Sequence, residues 1–151
     1  MSMRRTFAVW TCAVAVAAVA ATVAPAAAAK SEVKGAAILA HPCGKVAVQH
    51  MALVRAGKME QAIALGTKEM QDQWKTMPAK DRTMMSGMMK EMSSTEQQYA
   101  NDIKANGVLV VDGQAATLTV KKTTKDANGS MTTTTTQNFK LDAGGQCLIT
   151  R

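Results

Sequence analysis

The spacing of apolar residues changes near Gly107. Before that point apolar positions recur every three or four residues, which is typical of amphipathic helices. After it, apolar and polar residues alternate, as they do in half-buried β-strands. Helices followed by an antiparallel meander predict an α+β fold, in which N-terminal helices pack on a curved antiparallel sheet of about four strands.

Glycine, threonine and proline divide the helical half into segments. Helical runs cover residues 44–56 and 59–65, and each ends next to a glycine. Thr67 is a suitable N-cap for a third segment that reaches Trp74. Pro78 then stands where a helix can begin, because its missing N–H would have no partner there. The sequence therefore predicts a fourth helix from Ala79 to about Met92.

A short fifth helix is predicted to end near Lys104. Two capping boxes are possible at its start, since Ser93 stands three residues before Glu96 and Ser94 three residues before Gln97. Both alternatives place the helix start within the same turn.

Turn signals separate the predicted strands. The apolar run VLVV and the run ATLTV at 116–120 flank Asp112-Gly113, which is a strong hairpin signal. Residues 126–129 supply another turn, and the threonine-rich segment 131–141 alternates as a long strand does. A glycine turn then precedes a last predicted strand at 147–150.

The N-terminus has the pattern of an export signal. Arg4 and Arg5 precede an apolar, alanine-rich run over 7–23, and alanines at 27–29 supply an A-x-A cleavage pattern. We therefore expect residues 1–29 to be a secretory signal peptide. The arginine pair also resembles a twin-arginine export signal. An uncleaved anchor is the alternative, because an apolar run of about 20 residues can span a bilayer.

Cleavage would leave a periplasmic or secreted protein with no transmembrane segment. Residues 30–42 are then a lead-in segment, and residues 43–151 form one domain, long enough for a modest core. The formal net charge of the whole chain is +7, and loss of the arginine pair lowers it by two. The basic residues are scattered and only 3% of the chain is aromatic. Nucleic-acid binders usually concentrate basic residues in a patch or stripe and often add stacking aromatic side chains. We therefore expect no nucleic-acid partner.

Two cysteines remain after signal removal, Cys43 and Cys147. An even number of cysteines in an exported chain predicts a disulfide. His41 and His50 lie near Cys43 in sequence and could form a metal site with it. We prefer the disulfide, and a disulfide sulfur is no longer a thiolate ligand.

Three motifs stand in order along the chain: ALVRAGKMEQAIAL (52–65), VDGQAATLTV (111–120) and LDAGGQCLITR (141–151). They resemble, in turn, the opening, the hairpin and the closing strand of the small, exported bacterial members of the nuclear transport factor two-like superfamily. Cys147 stands where the family usually has tryptophan, and we interpret this as a core aromatic replaced by the disulfide. The resemblance implies a sheet curved around helices, with an apolar pocket in the resulting cone. Relatives use this pocket for isomerisation, dehydration, ligand binding or dimerisation, and the fold does not select among these uses.

Five methionines dominate the fourth predicted helix: Met84, Met85, Met88, Met89 and Met92. At about 100° per residue they occupy roughly 140° of one helix face, which predicts a buried amphipathic face in the core or in a pocket wall. Methionine also suits an adaptable apolar groove. A third possibility is a Cu(I) site at Met84, Met88 and Met92, because thioethers select soft metals.

Gly87 interrupts the same helix at a cost of about 1 kcal/mol relative to alanine. We interpret it as a position where another element packs closely.

The chain shows few candidates for catalysis. Isomerase-like relatives use a buried aspartate, often with a tyrosine, and Tyr99 and Asp102, at i and i+3, could face one way on a helix. No Ser-His-Asp set is visible. We therefore expect a binding or scaffold protein with no enzymatic activity and no cofactor. Its partner would be an apolar small molecule or a protein, and a homodimer is possible. The predicted pocket residues are Trp74, Met84, Met88, Met92, Leu118, Val120 and Phe139.

Overall fold

Five antiparallel strands form one sheet, and strands that follow each other in the chain are neighbours in space. The computed structural model describes residues 30–126 and 129–150. The predicted signal peptide at 1–29 lies outside the described residues, as does part of the predicted turn at 126–129. Six helices precede most of the sheet and several of them contact it. The predicted α+β class is confirmed.

The helices end close to the predicted boundaries, with one additional helix near the start. A threonine N-cap at Thr67 is confirmed, since its side chain accepts a hydrogen bond from the backbone N–H of Met70 at 3.5 Å. The helices are α1 (Ala36–Ala40), α2 (Pro42–Arg55), α3 (Met59–Ala64), α4 (Lys68–Thr76), α5 (Ala79–Met92) and α6 (Glu96–Asn106).

The sheet has five strands rather than about four. They are β1 (Ser31–Lys34), β2 (Gly107–Asp112), β3 (Ala115–Asp126), β4 (Gly129–Leu141) and β5 (Cys147–Thr150). The additional strand comes from the segment predicted as a lead-in, which also forms α1. The segment SEVK has a single apolar residue, Val33, so it shows no alternation that would mark a strand, and β1 depends on its pairing with β2.

The main core lies between the inner face of the sheet and helices α1, α2 and α6. Alternate strand residues face inward, as the pleat requires, and meet the apolar sides of these helices. Full burial of each large aliphatic side chain contributes about 1.5–3 kcal/mol. The large members of this core include Ile38, Tyr99, Ile103, Leu109, Leu118, Val120 and Phe139.

The predicted disulfide between Cys43 and Cys147 is confirmed. Its Cα atoms are 5.0 Å apart, and it joins the first turn of α2 to the start of β5 across 104 sequence positions. Both cysteines are buried in the main core. For a loop of this length the chain-entropy model gives a stabilisation of about 4–5 kcal/mol.

Both predicted capping boxes for α6 are wrong. The observed box uses Thr95 and Gln98: the Thr95 hydroxyl accepts from the backbone N–H of Gln98, and Gln98 Oε1 accepts from the backbone N–H of Thr95, each at 3.2 Å. Three consecutive residues at this point, Ser93, Ser94 and Thr95, can each act as a cap. The choice among them depends on which register turns Tyr99 and Ile103 toward the sheet.

β3 and β4 extend well beyond the strands beside them. The register pairs Val120 with both Gly107 and Thr135, so residues 121–126 continue past the end of β2. The side chains of the resulting ribbon are exposed wherever burial is described. Thr123 and Thr132 hydroxyls lie 3.0 Å apart across it. The threonine run therefore forms a solvated strand. Threonine is favoured in strands by its β-propensity.

Within residues 30–126 and 129–150, no helix has the length and apolarity needed to cross a membrane.

Candidate functional site

The methionine-rich helix α5 lies on the surface. None of its residues, all of which are described, is buried. Met84, Met88 and Met92 are 62%, 55% and 80% exposed, while Met85 and Met89 are 38% and 37% exposed. The predicted buried face is therefore wrong: the 140° arc is real, but it faces mainly solvent.

Polar contacts hold α5 in place. At its C-terminus the Arg55 guanidinium donates to the carbonyl oxygens of Lys90 and Ser93, at 3.1 and 3.4 Å. The last carbonyls of a helix lack intrahelical partners and carry partial negative charge, so a cation is favoured there. Near its N-terminus Arg82 lies 3.6 Å from Glu60 of α3. Glu60 also accepts a 3.0 Å hydrogen bond from Trp74 Nε1.

A first groove runs between α2 and α5. It has a volume of about 230 Å³ and is lined by His50, Met51, Val54, Met89, Met92 and Ser93. Three of these six side chains are thioethers and a fourth is an imidazole. No carboxylate lines it.

A second groove of about 230 Å³ also contains Met89 and lies between α5 and the α3–α4 segment. It reaches the end of β5 at Thr150. Its apolar lining consists of Ile63, Met70, Trp74, Met77, Met85 and Met89.

The two grooves together form one apolar surface that we call the methionine surface. Met89 belongs to both grooves and joins them. Half of the twelve methionines of the chain take part: Met51, Met70, Met77, Met85, Met89 and Met92. Flexible, polarizable methionines let such a surface adapt to differently shaped ligands.

The predicted pocket residues fall into three separate places. Leu118, Val120 and Phe139 are buried in the main core, where α1, α2 and α6 pack on the inner face of the sheet. Trp74 is 5% exposed in a second cluster with Val54 and Met59, and its edge lines the second groove.

The three predicted methionines, Met84, Met88 and Met92, lie outside the cores, and only Met92 lines either of the two grooves. The structure therefore does not bring the seven residues together. Strand alternation correctly placed the sheet residues inward, but it could not show that helices occupy the space in front of them.

Gly87 is not a close-packing position. A Cβ atom at this residue would have no heavy atom within 4 Å. Such a contact does occur at Gly44, where a Cβ would lie only 1.9 Å from the Ile38 carbonyl oxygen.

The histidines occupy different environments. Ligand atoms of His41, Cys43 and Cys147 lie within 4.8 Å of one another, but the two sulfurs are bonded together and supply no thiolate. His41 instead caps α2, accepting the backbone N–H of Cys43 at 3.2 Å. Burial lowers the pKa of His50 in the first groove, so its imidazole stays neutral to a lower pH than that of an ordinary histidine.

Tyr99 and Asp102 both belong to α6, but Tyr99 lies in the main core and Asp102 lies at the edge of that core. Burial, and then the nearby Asp102 carboxylate, raise the pKa of Tyr99 to about 12. Tyr99 is 4% exposed in the main core, and Asp102 lies 3.8 Å from Lys122 of β3 in an ion pair. A phenol with this pKa holds its proton at neutral pH.

The sequence did not reveal that His50 and Met51 of α2 line a groove together with methionines of α5. These two residues stand in α2, about 40 positions before Met89, and carry no motif. The methionine content of the chain was the signal, but the contact between α2 and α5 is a tertiary feature.

Comparisons of the chain with protein-family models, curated proteins and solved structures gave no significant match.

Proposed function

We propose that the protein is an exported, non-catalytic binding protein that holds an apolar segment of a protein partner on its methionine surface. The observation that carries this proposal is the pair of open, methionine-lined grooves beside α5, which share Met89. Exposed contiguous apolar surface on a small protein marks interaction sites. Export is supported by the N-terminal pattern and by the disulfide, which suits an oxidising compartment outside the cytoplasm.

The size of the grooves favours a protein segment over a small molecule. Each has a volume of about 230 Å³, below the roughly 300–1,000 Å³ of pockets that enclose small ligands. Two shallow grooves joined at Met89 suit an amphipathic helix, which inserts apolar side chains from successive turns. The inner face of the sheet offers less, because the helices cover it.

Membership of the nuclear transport factor two-like superfamily is part of the proposal. The order of helices before an antiparallel meander supports it. The three resembling motifs fall on turns: 52–65 spans the α2–α3 turn, 111–120 the β2–β3 hairpin, and 141–151 the β4–β5 turn. Turn geometry is shared by many folds, so these motifs support the family less strongly than core contacts would.

The proposal is tested by removing apolarity while keeping side-chain size. We expect Met85→Gln combined with Met89→Gln to weaken binding of a synthetic Leu-rich amphipathic helix and of an environment-sensitive apolar dye by about tenfold or more, equivalent to about 1.4 kcal/mol. Glutamine matches methionine in length and helix propensity, so the fold should survive. Met85→Leu with Met89→Leu should bind as the wild type does.

Met131→Gln provides the matched control. Met131 is 66% exposed on β4 and lines neither groove. Both probes should be unaffected by this change. Equal binding by wild type and the Met85/Met89 glutamine variant would contradict the proposal, as would an equal loss in Met131→Gln.

A further inference from the structure

The first groove combines donor atoms of one chemical kind. Three of its six lining residues are methionines and a fourth is His50. Thioether and imidazole ligands are the soft and borderline donors that bind Cu(I), whereas hard cations require oxygen ligands. We propose that His50, Met51, Met89 and Met92 form a Cu(I)-binding site between α2 and α5.

The four donors approach the groove from two helices. Met89 and Met92 stand three residues apart on α5, which places them on neighbouring positions of one helix face. His50 and Met51 approach from α2, which packs against α5. An ion between the helices can therefore be enclosed from two sides.

The first groove is accessible from solvent, and its two α5 methionines are exposed to different extents. Met92 is 80% exposed and can close over an ion, while Met89 is 37% exposed and sits deeper. Arg55 holds the α5 C-terminus beside this groove through its two hydrogen bonds to Lys90 and Ser93. The helix that supplies two donors is thus fixed to the helix that supplies the other two.

The alternative set Met84, Met88 and Met92 is less suited to one ion. These residues run along a single helix edge, and eight residues at 1.5 Å rise separate the outer two by about 12 Å. Met84 and Met88 line neither groove and are more than half exposed.

This inference is independent of the proposed protein partner, because it depends on sulfur and nitrogen lone pairs rather than on apolarity. Leucine keeps the apolarity and approximate volume of methionine but removes the sulfur. A leucine variant therefore separates the two ideas: metal binding is lost while binding of the amphipathic helix remains.

The experiment is a Cu(I) titration of the full, disulfide-bonded protein against a competing colorimetric chelator. Ascorbate keeps copper reduced, and thiol reductants are avoided because freed Cys43 and Cys147 would bind Cu(I) themselves. We expect one ion per chain. Met89→Leu with Met92→Leu should weaken binding by about tenfold or more, since even indirect changes around a metal cost 10- to 100-fold. His50→Phe should also weaken Cu(I) binding.

Met84→Leu with Met88→Leu is the matched control, with the same number of sulfurs removed from the same helix. It should retain the wild-type affinity and stoichiometry. Titration with Ag(I), followed by the methionine methyl resonances, should shift those of Met51, Met89 and Met92 first. No binding by the wild type, equal losses in both leucine pairs, or a loss only in the Met84/Met88 pair would each overturn the proposed site.

Discussion

Helices α5 and α6 follow each other in the chain yet depend on different forces. α6 begins with a capping box and buries Tyr99 and Ile103 against the sheet. α5 is longer and carries five methionines, but none of its described residues is buried, and no side chain caps its first turn. Hydrogen bonds from Arg55 and the Arg82–Glu60 ion pair connect it to α2 and α3, and Met85 and Met89 are partly covered. The apolar content of a helix therefore does not show whether it belongs to the core.

This difference bears on function. Apolar area on α6 already leaves water when the chain folds, whereas much of that on α5 stays in water. Its removal from water can drive binding at roughly 25 cal/mol per Å² before the costs of association. The core of the molecule thus supports a surface helix whose side chains remain available to ligands.

The largest expected effect lies at the disulfide, which is buried in the main core. Cys43→Ala with Cys147→Ala should lower the free energy of unfolding by about 4–5 kcal/mol, because the unfolded chain regains the freedom of a long loop. Urea unfolding followed by circular dichroism measures it. The reduced wild-type protein is the control and should lose a similar amount. A loss below about 1 kcal/mol would mean that the disulfide adds little to the core.

The direct comparison of the two helices replaces one residue in each. Ile103→Ala on α6 should cost about 2–5 kcal/mol, since Ile103 is 0% exposed and its removal leaves a cavity. Met88→Ala on α5 should change stability by about 0.5 kcal/mol or less, as exposed positions do. Urea midpoints of the two variants decide the comparison. A cost for Met88→Ala comparable to that of Ile103→Ala would contradict the exposed placement of α5.

The burial of Tyr99 on α6 should make the stability of the protein depend on pH. In the unfolded chain the phenol titrates near pH 10, and in the folded protein at about 12. Below pH 10 the Tyr99 phenol is protonated in both the folded and the unfolded state, so no stability is lost. Between about pH 10 and 12 only the unfolded state loses it, so stability falls as pH rises, by roughly 2–3 kcal/mol in all.

Tyr99→Phe isolates this contribution. Lysine deprotonation affects the variant and the wild type alike, so the difference between their stabilities reports Tyr99 alone. We expect the wild type to lose stability more steeply than Tyr99→Phe as pH rises from about 9.5 to 11.5, in urea unfolding at a series of pH values. Parallel curves would show that the folded state does not hold the phenol proton more tightly.

Features governed by local chemistry could be predicted from the sequence. The Asp112-Gly113 hairpin formed as expected, with Gly113 at φ 58°, because a tight turn favours a residue without a Cβ there. The two cysteines pair because no other cysteine follows the predicted signal. The last strand was placed at the observed residues, 147–150.

Features decided by tertiary packing could not be predicted. The methionine arc of α5 satisfies the pattern of a buried face, but burial requires an opposing surface, and α6 with α1 and α2 already covers the sheet. The same limitation explains the missed groove, whose donors are separated by about 40 residues. It also explains the interpretation of Gly87, because a glycine that permits close packing and one that faces solvent look alike in sequence.

Gly87 therefore gives the smallest but most specific test of the comparison. Gly87→Ala should stabilise the protein by about 0.5–1 kcal/mol, because alanine is the better helix former and restricts the unfolded chain. Nothing within 4 Å opposes the new methyl group. Gly44→Ala is the control and should destabilise strongly, since its Cβ would overlap the Ile38 carbonyl. Urea midpoints measure both. A destabilising Gly87→Ala would mean that another surface, such as a second copy of the chain, packs against α5, and this helix would then resemble α6 after all.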